Sequence, residues 1–366
     1  MKRIAVAGYY GYGNIGDEAI LEALAQRLAP YPEIGISVLS SNTSYTFQTQ
    51  GLSAVSRRNP FAVIKAIVNS DYLVSGGGGI IQDSTSLRSP YFYLCQILLT
   101  IILARRFVIL GQGIGPLRGA FARFLTRELF KEAQAITVRD LNSKTFLMES
   151  LPPDFDITVT ADIALMLQSA SKERAEDILY DEGAADLPNP ILGVSIKGKP
   201  KDKRTAEFYA SSINSFIEET QGGVLFIPFF PKYDSAFIGK VMKGVKGPSA
   251  ILRKQYKPSE ILSIFGTMDH ILAGRYHGII LASLAEKSFT PIAYDPKIEY
   301  FLNEIGIENN IITPVIGSRS IEEALLNDYE NAAIRIEKVQ KRLHTIIQRA
   351  EQNISILLKV LEIESS

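Results

Sequence analysis

The residues best suited to chemistry are Arg275 and His277, two apart in the run Ala273-Gly274-Arg275-Tyr276-His277-Gly278. A guanidinium grips a carboxylate or phosphate through a planar fork. An imidazole exchanges protons near neutral pH. The run lies between an apolar strand-like stretch and a stretch of small and aliphatic helix formers, so both side chains issue from a strand-to-helix turn. Lys197 follows the apolar residues 191–196, and Lys232 stands in Phe229-Phe230-Pro231-Lys232-Tyr233-Asp234. Each places a cation after a strand, although either lysine alone reads equally as a solvated surface charge. Tyr294-Asp295-Pro296-Lys297 ends a further strand, as a capped turn or as one more source of charge.

The first half of the chain carries a second set. Gly8-Tyr9-Tyr10-Gly11-Tyr12-Gly13-Asn14-Ile15-Gly16-Asp17-Glu18 contains GxGxxG after a strand and before a helix, the context of a dinucleotide fingerprint. Asp17 and Glu18 sit where a pyrophosphate would meet the helix N-terminus, and like charges repel there. The next strand ends in Leu39-Ser40-Ser41-Asn42, with no acid for a ribose hydroxyl. These residues suit a sugar better: tyrosine rings stack on it, and Asn14 and Asp17 hydrogen-bond its hydroxyls, while Asp17 also suits a helix cap. Four glycines at 76–79, Gly77 and Gly78 among them, follow a buried strand and let backbone N–H groups approach a ligand. Gln82, Asp83, Ser84 and Thr85 then supply polar groups. Gly111-Gln112-Gly113-Ile114-Gly115-Pro116 reads as a third loop. Arg139 ends a fifth strand, as an anion ligand or as a structural partner of Asp140, and Asp162 ends the next strand in the same way.

Positioning these residues requires an α/β fold. Strands are predicted at 3–7, 36–39, 71–75, 107–110, 135–138 and 157–160, with helices at 17–28, 61–68, 91–104, 121–133 and 142–149. Alternation restarts after residue 190, with strands at 191–196, 224–227, 271–273 and 290–293 and helices at 205–220, 234–245, 259–265 and 278–285. Short apolar strands separated by helices imply parallel sheets buried on both faces. The expected organisation is two Rossmann-like doubly wound domains facing a cleft, residues 1–168 and 190–318. A helical tail at 319–366 packs on either half or crosses back to the first. Ligands of such sheets sit beyond the carboxyl ends of the strands, where the polar runs fall.

Composition narrows the partners. The 366 residues carry 39 Lys+Arg and 39 Asp+Glu, a formal charge of zero, which disfavours nucleic-acid binding through a basic stripe. Hydrophobic residues make up 46%, enough for large cores. One cysteine, Cys95, forms no internal disulfide and no thiolate metal site, so a reducing cytoplasmic setting, no metal and no cofactor are expected. The start of the chain lacks a signal-like apolar region, and residues 94–104 are too short for a membrane span.

Taken together, these runs resemble the polysaccharide pyruvyltransferase family, especially its CsaB-type bacterial cell-wall members. The matching stretches are GYYGYGNIGDEAIL from Gly8, GGGGIIQDSTSLRSPYFY from Gly76, GQGIGPL from Gly111, VRDLNS from Val138, AGRYHGIILA from Ala273 and AYDPKIEYFL from Ala293. The resemblance implies a two-domain fold like the GT-B glycosyltransferases. It also implies transfer of an enolpyruvyl unit from phosphoenolpyruvate to a sugar, giving a pyruvate ketal. The implied acceptor is N-acetylmannosamine in a lipid-linked disaccharide, ketalised at O4 and O6. Many relatives have arginine in place of Lys197 and leucine in place of Tyr276, which puts a phenol near the donor here.

The chemistry of the residues agrees. Phosphoenolpyruvate carries a carboxylate and a phosphate, for which Arg275, Arg139, Lys197 and Lys232 are candidate ligands. His277 suits the acid or a phosphate partner, and Asp17 or Asp83 suits the group that orients or deprotonates the acceptor. The acceptor half would be the first domain and the donor half the second. Two other readings compete: a nucleotide-sugar glycosyltransferase of the same architecture, and a sugar-binding protein without turnover. An enzyme acting on a lipid-linked acceptor is expected in the cytoplasm with peripheral contact at the inner membrane face, and the helices of the C-terminal tail are the nearest candidate anchor. The sequence does not fix the oligomeric state.

Overall fold

The computed structural model describes residues 1–83, 86–149, 151, 155–307 and 320–364. The chain divides into two compact units, one of Met1–Tyr12, Asp17–Leu167 and Thr345–Ser366, the other of Gly13–Gly16 and Gln168–His344. The expected boundary between second domain and tail, at 318/319, falls outside the described residues.

The first unit is built on a seven-stranded parallel sheet: β1 (Lys2–Ala7), β2 (Ile34–Ser40), β3 (Ser53–Ser56), β4 (Tyr72–Ile81), β5 (Arg106–Ile114), β6 (Ile136–Val138) and β7 (Thr158–Val159), in the order β3-β2-β1-β4-β5-β6-β7. Ile4 of β1 pairs with Ile36 on one side and Tyr72 on the other. The apolar central strands are covered on both faces, as a parallel sheet requires. The chain progresses one way from β1 to β3 and the other way from β3 onward. Right-handed crossovers therefore put helices Ile15–Leu28 and Thr43–Gln50 on one face. They put Pro60–Val68, Ser89–Ile102 and Ala120–Phe130 on the other, where Val63, Ile67, Leu94, Ile97, Leu129 and Phe130 share one core.

The second unit holds a five-stranded parallel sheet: β8 (Ile191–Ser195), β9 (Gly223–Phe226), β10 (Ser249–Ile251), β11 (His270–Ala273) and β12 (Ser288–Pro291), in the order β10-β9-β8-β11-β12. Strand order reverses between β1 and β4 and again between β8 and β11, and crevices form at such points.

The 30-residue helix Ala332–Leu361 belongs to both units, with residues up to His344 in the second and residues from Thr345 in the first. Its end is tied to the first sheet through Asn353. That amide accepts from Thr137 Oγ1 (2.6 Å) and Thr160 Oγ1 (2.9 Å) and donates to the carbonyl of Ala161 (3.2 Å).

Several elements depart from expectation. Strands β3 and β10 and helices Thr43–Gln50 and Pro296–Glu304 are not legible in the apolar pattern. The two strands are short edge strands, and Thr43–Gln50 has a polar composition. It begins because Asn42 accepts the Tyr45 N–H at 3.1 Å.

The glycine runs expected as loops lie inside strands. The glycines at 76–79 continue β4, and Gly111 and Gly113 continue β5, with Gly76 opposite Leu110 and Gly78 opposite Gln112. A register shift follows between Gly78 and Ile81, and Gly77 and Gly78 take φ of 65° and 74°. Buried backbone groups must be paired, so the strands extend, and the glycines absorb the bulge. Ser84 and Thr85 lie outside the described residues.

Candidate active site

In the second unit, the carboxyl ends of β8, β9, β11 and β12 gather the candidate donor ligands. Arg275 follows β11 and stands at the N-cap of helix Tyr276–Leu284. One terminal nitrogen of its guanidinium donates to Asp234 Oδ1, while Asp234 Oδ2 accepts the Phe230 N–H at 2.8 Å. Asp234 is 1% exposed. It lies in the first turn of helix Pro231–Met242, which begins where Pro231 supplies a preset φ. Burial pushes its carboxyl above the ordinary range, while Arg275 and the Phe230 N–H pull it back. Arg275 Nε and Ser195 Oγ are buried with no hydrogen-bond partner among the described residues.

Lys197 is half-buried just after β8, with its Nζ 5.0 Å from the centre of the Tyr294 ring. Burial lowers its pKa, and the neighbouring charges of Arg275 and Lys297 lower it further. Asp295 is half-buried, and the partial desolvation favours its neutral form, yet Lys297 and Lys197 hold its carboxyl below the ordinary range. Tyr294 bonds to the Tyr209 hydroxyl, and burial pushes its phenol up to about 12. This edge of the sheet therefore concentrates positive charge at an N-terminus that no side chain caps.

His277 occupies the first turn of the same helix. Its ring meets the Tyr276 ring edge-on at 5.1 Å, and Tyr276 packs against Phe301 at 5.8 Å. Lys297 Nζ stands 5.8 Å from the Tyr276 ring centre. Gly16 packs directly against the His277 imidazole, so any side chain there would collide with it. Asn14 shares that Gly13–Gly16 segment, which the Ile15 N–H ties to the Phe229 carbonyl at 2.9 Å. Lys232 is exposed, with its Nζ 5.6 Å from the Tyr233 ring.

In the first unit, Asp17, Gly77, Gly78 and Arg139 come together at the carboxyl edge. A Cβ at Gly78 would lie 3.1 Å from Asp17 Oδ1, and one at Gly77 only 2.6 Å from Ile20. The Arg139 guanidinium lies against Gly113, 2.6 Å from where a Cβ would be. Arg139 is buried and donates to Asp140 and Asp162, both at 3.2 Å, so the structural pairing is realised and extended. Asp17 lies in the first turn of its helix. The helix begins at Ile15, and the fully buried Glu18 accepts the N–H groups of Gly11 (2.9 Å) and Tyr12 (3.2 Å). Tyr9 and Tyr12 stack on each other at 4.1 Å, with Arg57 over Tyr12. Asp83 stands apart from this group in role: its Oδ2 accepts the N–H groups of Arg118 (2.6 Å) and Gly119 (3.2 Å) and anchors that loop.

Sequence reasoning missed Asp234 as the partner of Arg275. The available signal was an acid in a helix first turn after a strand, which reads locally as a favourable helix charge. Among the described residues no cluster of His, Cys, Asp or Glu could hold a metal.

Comparison with known proteins bears on the fold and the family. No curated protein matches the sequence. Solved structures of the same fold include a glycosyltransferase from Rickettsia africae, with a TM-score of 0.63 at 11% identity over 99% of each chain. A UDP-GlcNAc 2-epimerase from Neisseria meningitidis gives 0.62 at 12%, covering 98% of this chain and 100% of that one. MnaA from S. aureus with UDP gives 0.63 at 11%, covering 100% and 98%. At these identities the likeness establishes the fold, two Rossmann-like parallel-sheet units of the GT-B kind. The model of the polysaccharide pyruvyl transferase family matches residues 14–296, a span that takes in the Asn14–Asp17 turn, both glycine strands, Arg139 and the Arg275–His277 turn. That match covers most of the chain, and the chain belongs to the polysaccharide pyruvyl transferase family.

Proposed function

We propose that this transferase moves the pyruvyl group of phosphoenolpyruvate to a sugar of a lipid-linked cell-wall polysaccharide precursor, forming a 4,6-ketal and releasing phosphate. The observation that carries the reading is the Arg275–Asp234 pair beside Lys197 and the open N-terminus of helix Tyr276–Leu284. A donor with a carboxylate and a phosphate needs several cations that are fixed before it binds. Here Asp234 fixes the guanidinium through one nitrogen and leaves its Nε without a protein partner among the described residues.

In this reading His277 delivers a proton to the methylene carbon, which becomes a methyl group, and C2 takes on positive charge. A sugar hydroxyl attacks C2 and surrenders its proton to a base. The C2–O bond to phosphate breaks, phosphate leaves with that bonding pair, and the neighbouring hydroxyl closes the ring with loss of its proton. Asp17 is the preferred base, because one oxygen of Asp83 is already committed to two backbone N–H groups. The donor is assigned to the second unit and the acceptor to the first, where Gly77 and Gly78 allow close approach, and Asn14, in the Gly13–Gly16 segment of the second unit, supplies a hydrogen-bonding amide. N-acetylmannosamine is the acceptor that the cell-wall branch of the family favours. Lys232 is a secondary donor ligand in this scheme, whereas Arg139, paired with Asp140 and Asp162 in the first unit, is left to the acceptor half.

The test is phosphate release from phosphoenolpyruvate with and without a lipid-linked N-acetylmannosamine disaccharide, for the wild type, Arg275→Ala and His277→Ala. Acceptor-dependent release that both variants lose is expected. No release, with tight binding of a nucleotide sugar instead, would replace this reading with glycosyl transfer.

A further inference from the structure

One layer of the first unit has a surface of unusual composition. Helix Ser89–Ile102 contains no charged residue. Its inward positions, such as Leu94 and Ile97, are buried in the core. Its outward positions Phe92, Cys95, Leu98 and Ile102 recur at helical spacing and are exposed, and Ile102 is 69% so. A helix that faces water ordinarily carries charge on that stripe.

The neighbouring helices on the same layer repeat the pattern. Ala120–Phe130 exposes Phe121 and Phe124, and Pro60–Val68 exposes Phe61 at 82%. Tyr91 stacks on Phe121 at 6.0 Å, and Phe121 on Phe124 at 6.4 Å, so the stripes of two helices join. Among the described residues, nine of the seventeen exposed large apolar side chains lie between Phe61 and Phe124. Single exposed apolar residues need no explanation, but a run of this kind on adjacent helices marks an interaction surface.

Charge identifies the partner. Residues 87–131 contain seven basic residues and one acid, Glu128, in a chain whose formal charge is zero. Arg88, Arg118, Arg123 and Arg127 are exposed at the ends and flank of the apolar stripes. Aromatic and aliphatic side chains bordered by arginine are the composition of a face that lies in a lipid interface.

We propose that this layer docks the protein on the surface of an anionic lipid bilayer. The rings of Phe121 and Phe124 and the side chains of Leu98 and Ile102 enter the boundary between headgroups and acyl chains. The arginines engage the lipid phosphates. The contact is interfacial, since no described helix is long and apolar enough to cross a membrane. The C-terminal tail, expected from sequence as the nearest anchor, does not have this character. Its apolar positions Leu343, Ile346, Leu357 and Leu361 are buried against protein. It also lies on the other face of the sheet, where Arg27 pairs with Glu351 at 3.3 Å.

The proposal does not rest on the pyruvyl reading, because lipid binding is measured without any substrate. The full chain is sedimented with vesicles of phosphatidylglycerol mixed with phosphatidylcholine, and with vesicles of phosphatidylcholine alone, at low and high ionic strength. Binding to the anionic vesicles that weakens with salt is expected. Leu98→Ser with Ile102→Ser should lower the partition coefficient about tenfold, and Arg123→Gln with Arg127→Gln by a similar factor. Neither pair contributes to the core, and an unchanged unfolding temperature checks this. Equal binding to both vesicle types, no binding, or unchanged binding by both variants would overturn the proposal. So would a wild-type dimer in sedimentation velocity that the Leu98→Ser, Ile102→Ser variant converts to monomer, which would assign the face to a second copy of the chain.

Discussion

Asp234 holds Arg275 by one terminal nitrogen while sitting almost wholly out of solvent, 1% exposed, at the start of a different helix. The guanidinium is thus aimed by a residue 41 positions away in sequence. Removing one partner of such a pair leaves the other uncompensated. Asp234→Ala should therefore lower kcat/KM for phosphoenolpyruvate by about a hundredfold, mainly through KM, with a smaller loss for Asp234→Asn. Steady-state phosphate release over a range of donor concentrations checks this. A kcat/KM within twofold or so of wild type for Asp234→Ala would show that the pair does not aim the donor ligand.

Lys197 titrates below an ordinary lysine because of burial and then the charges of Arg275 and Lys297. It is cationic below its lowered pKa and neutral above it. Donor affinity should therefore fall as pH rises through that value, earlier than an ordinary lysine would allow. Lys197→Arg keeps its charge throughout and should move the alkaline limb of the kcat/KM profile upward. A profile that superimposes on the wild type would remove Lys197 from donor binding.

His270 is fully buried, with its Nε2 2.9 Å from Thr290 Oγ1, and burial lowers its pKa to about 3. The Arg335 charge acts in the same direction. The unfolded chain binds a proton at His270 near pH 6.5, and the folded chain does not. The stability that depends on keeping it neutral is complete above that pH and is lost progressively as pH falls toward 3. The unfolding temperature should drop between pH 7 and pH 5, and His270→Gln should flatten that dependence even though it is less stable at pH 7. Parallel slopes for the two proteins would count against this.

Asn353 satisfies Thr137, Thr160 and the Ala161 carbonyl at once. Asn353→Ala should cost about 2–3 kcal/mol, because it leaves those groups buried without their partner. Urea unfolding measures it. Asn353→Asp keeps the acceptor but loses the donor to Ala161 and buries a charge, so it should be no better.

The alternating strands and helices were legible because apolar runs of strand length between amphipathic stretches admit few other folds. Arg275, Lys197 and His277 were legible because their types and their places after strands are local facts. The glycines at 76–79 were misread as a loop for the same reason. Glycine is a turn signal locally, whereas the neighbouring strand decides whether its backbone is paired. Strands β3 and β10 were missed because edge strands need no long apolar run.

The sequence by itself determined the α/β class, the two sheets and the residue types available at their carboxyl edges. Only the tertiary structure decided that Arg275 is aimed by Asp234, that Arg139 is shared by Asp140 and Asp162, and that Asp83 serves a backbone loop. It also decided that the uncharged helix Ser89–Ile102 turns one apolar stripe to water. The physical reason is range. Periodicity and chain order are properties of neighbours, whereas the partner of a charge and the cover of an apolar face are set by residues distant in sequence.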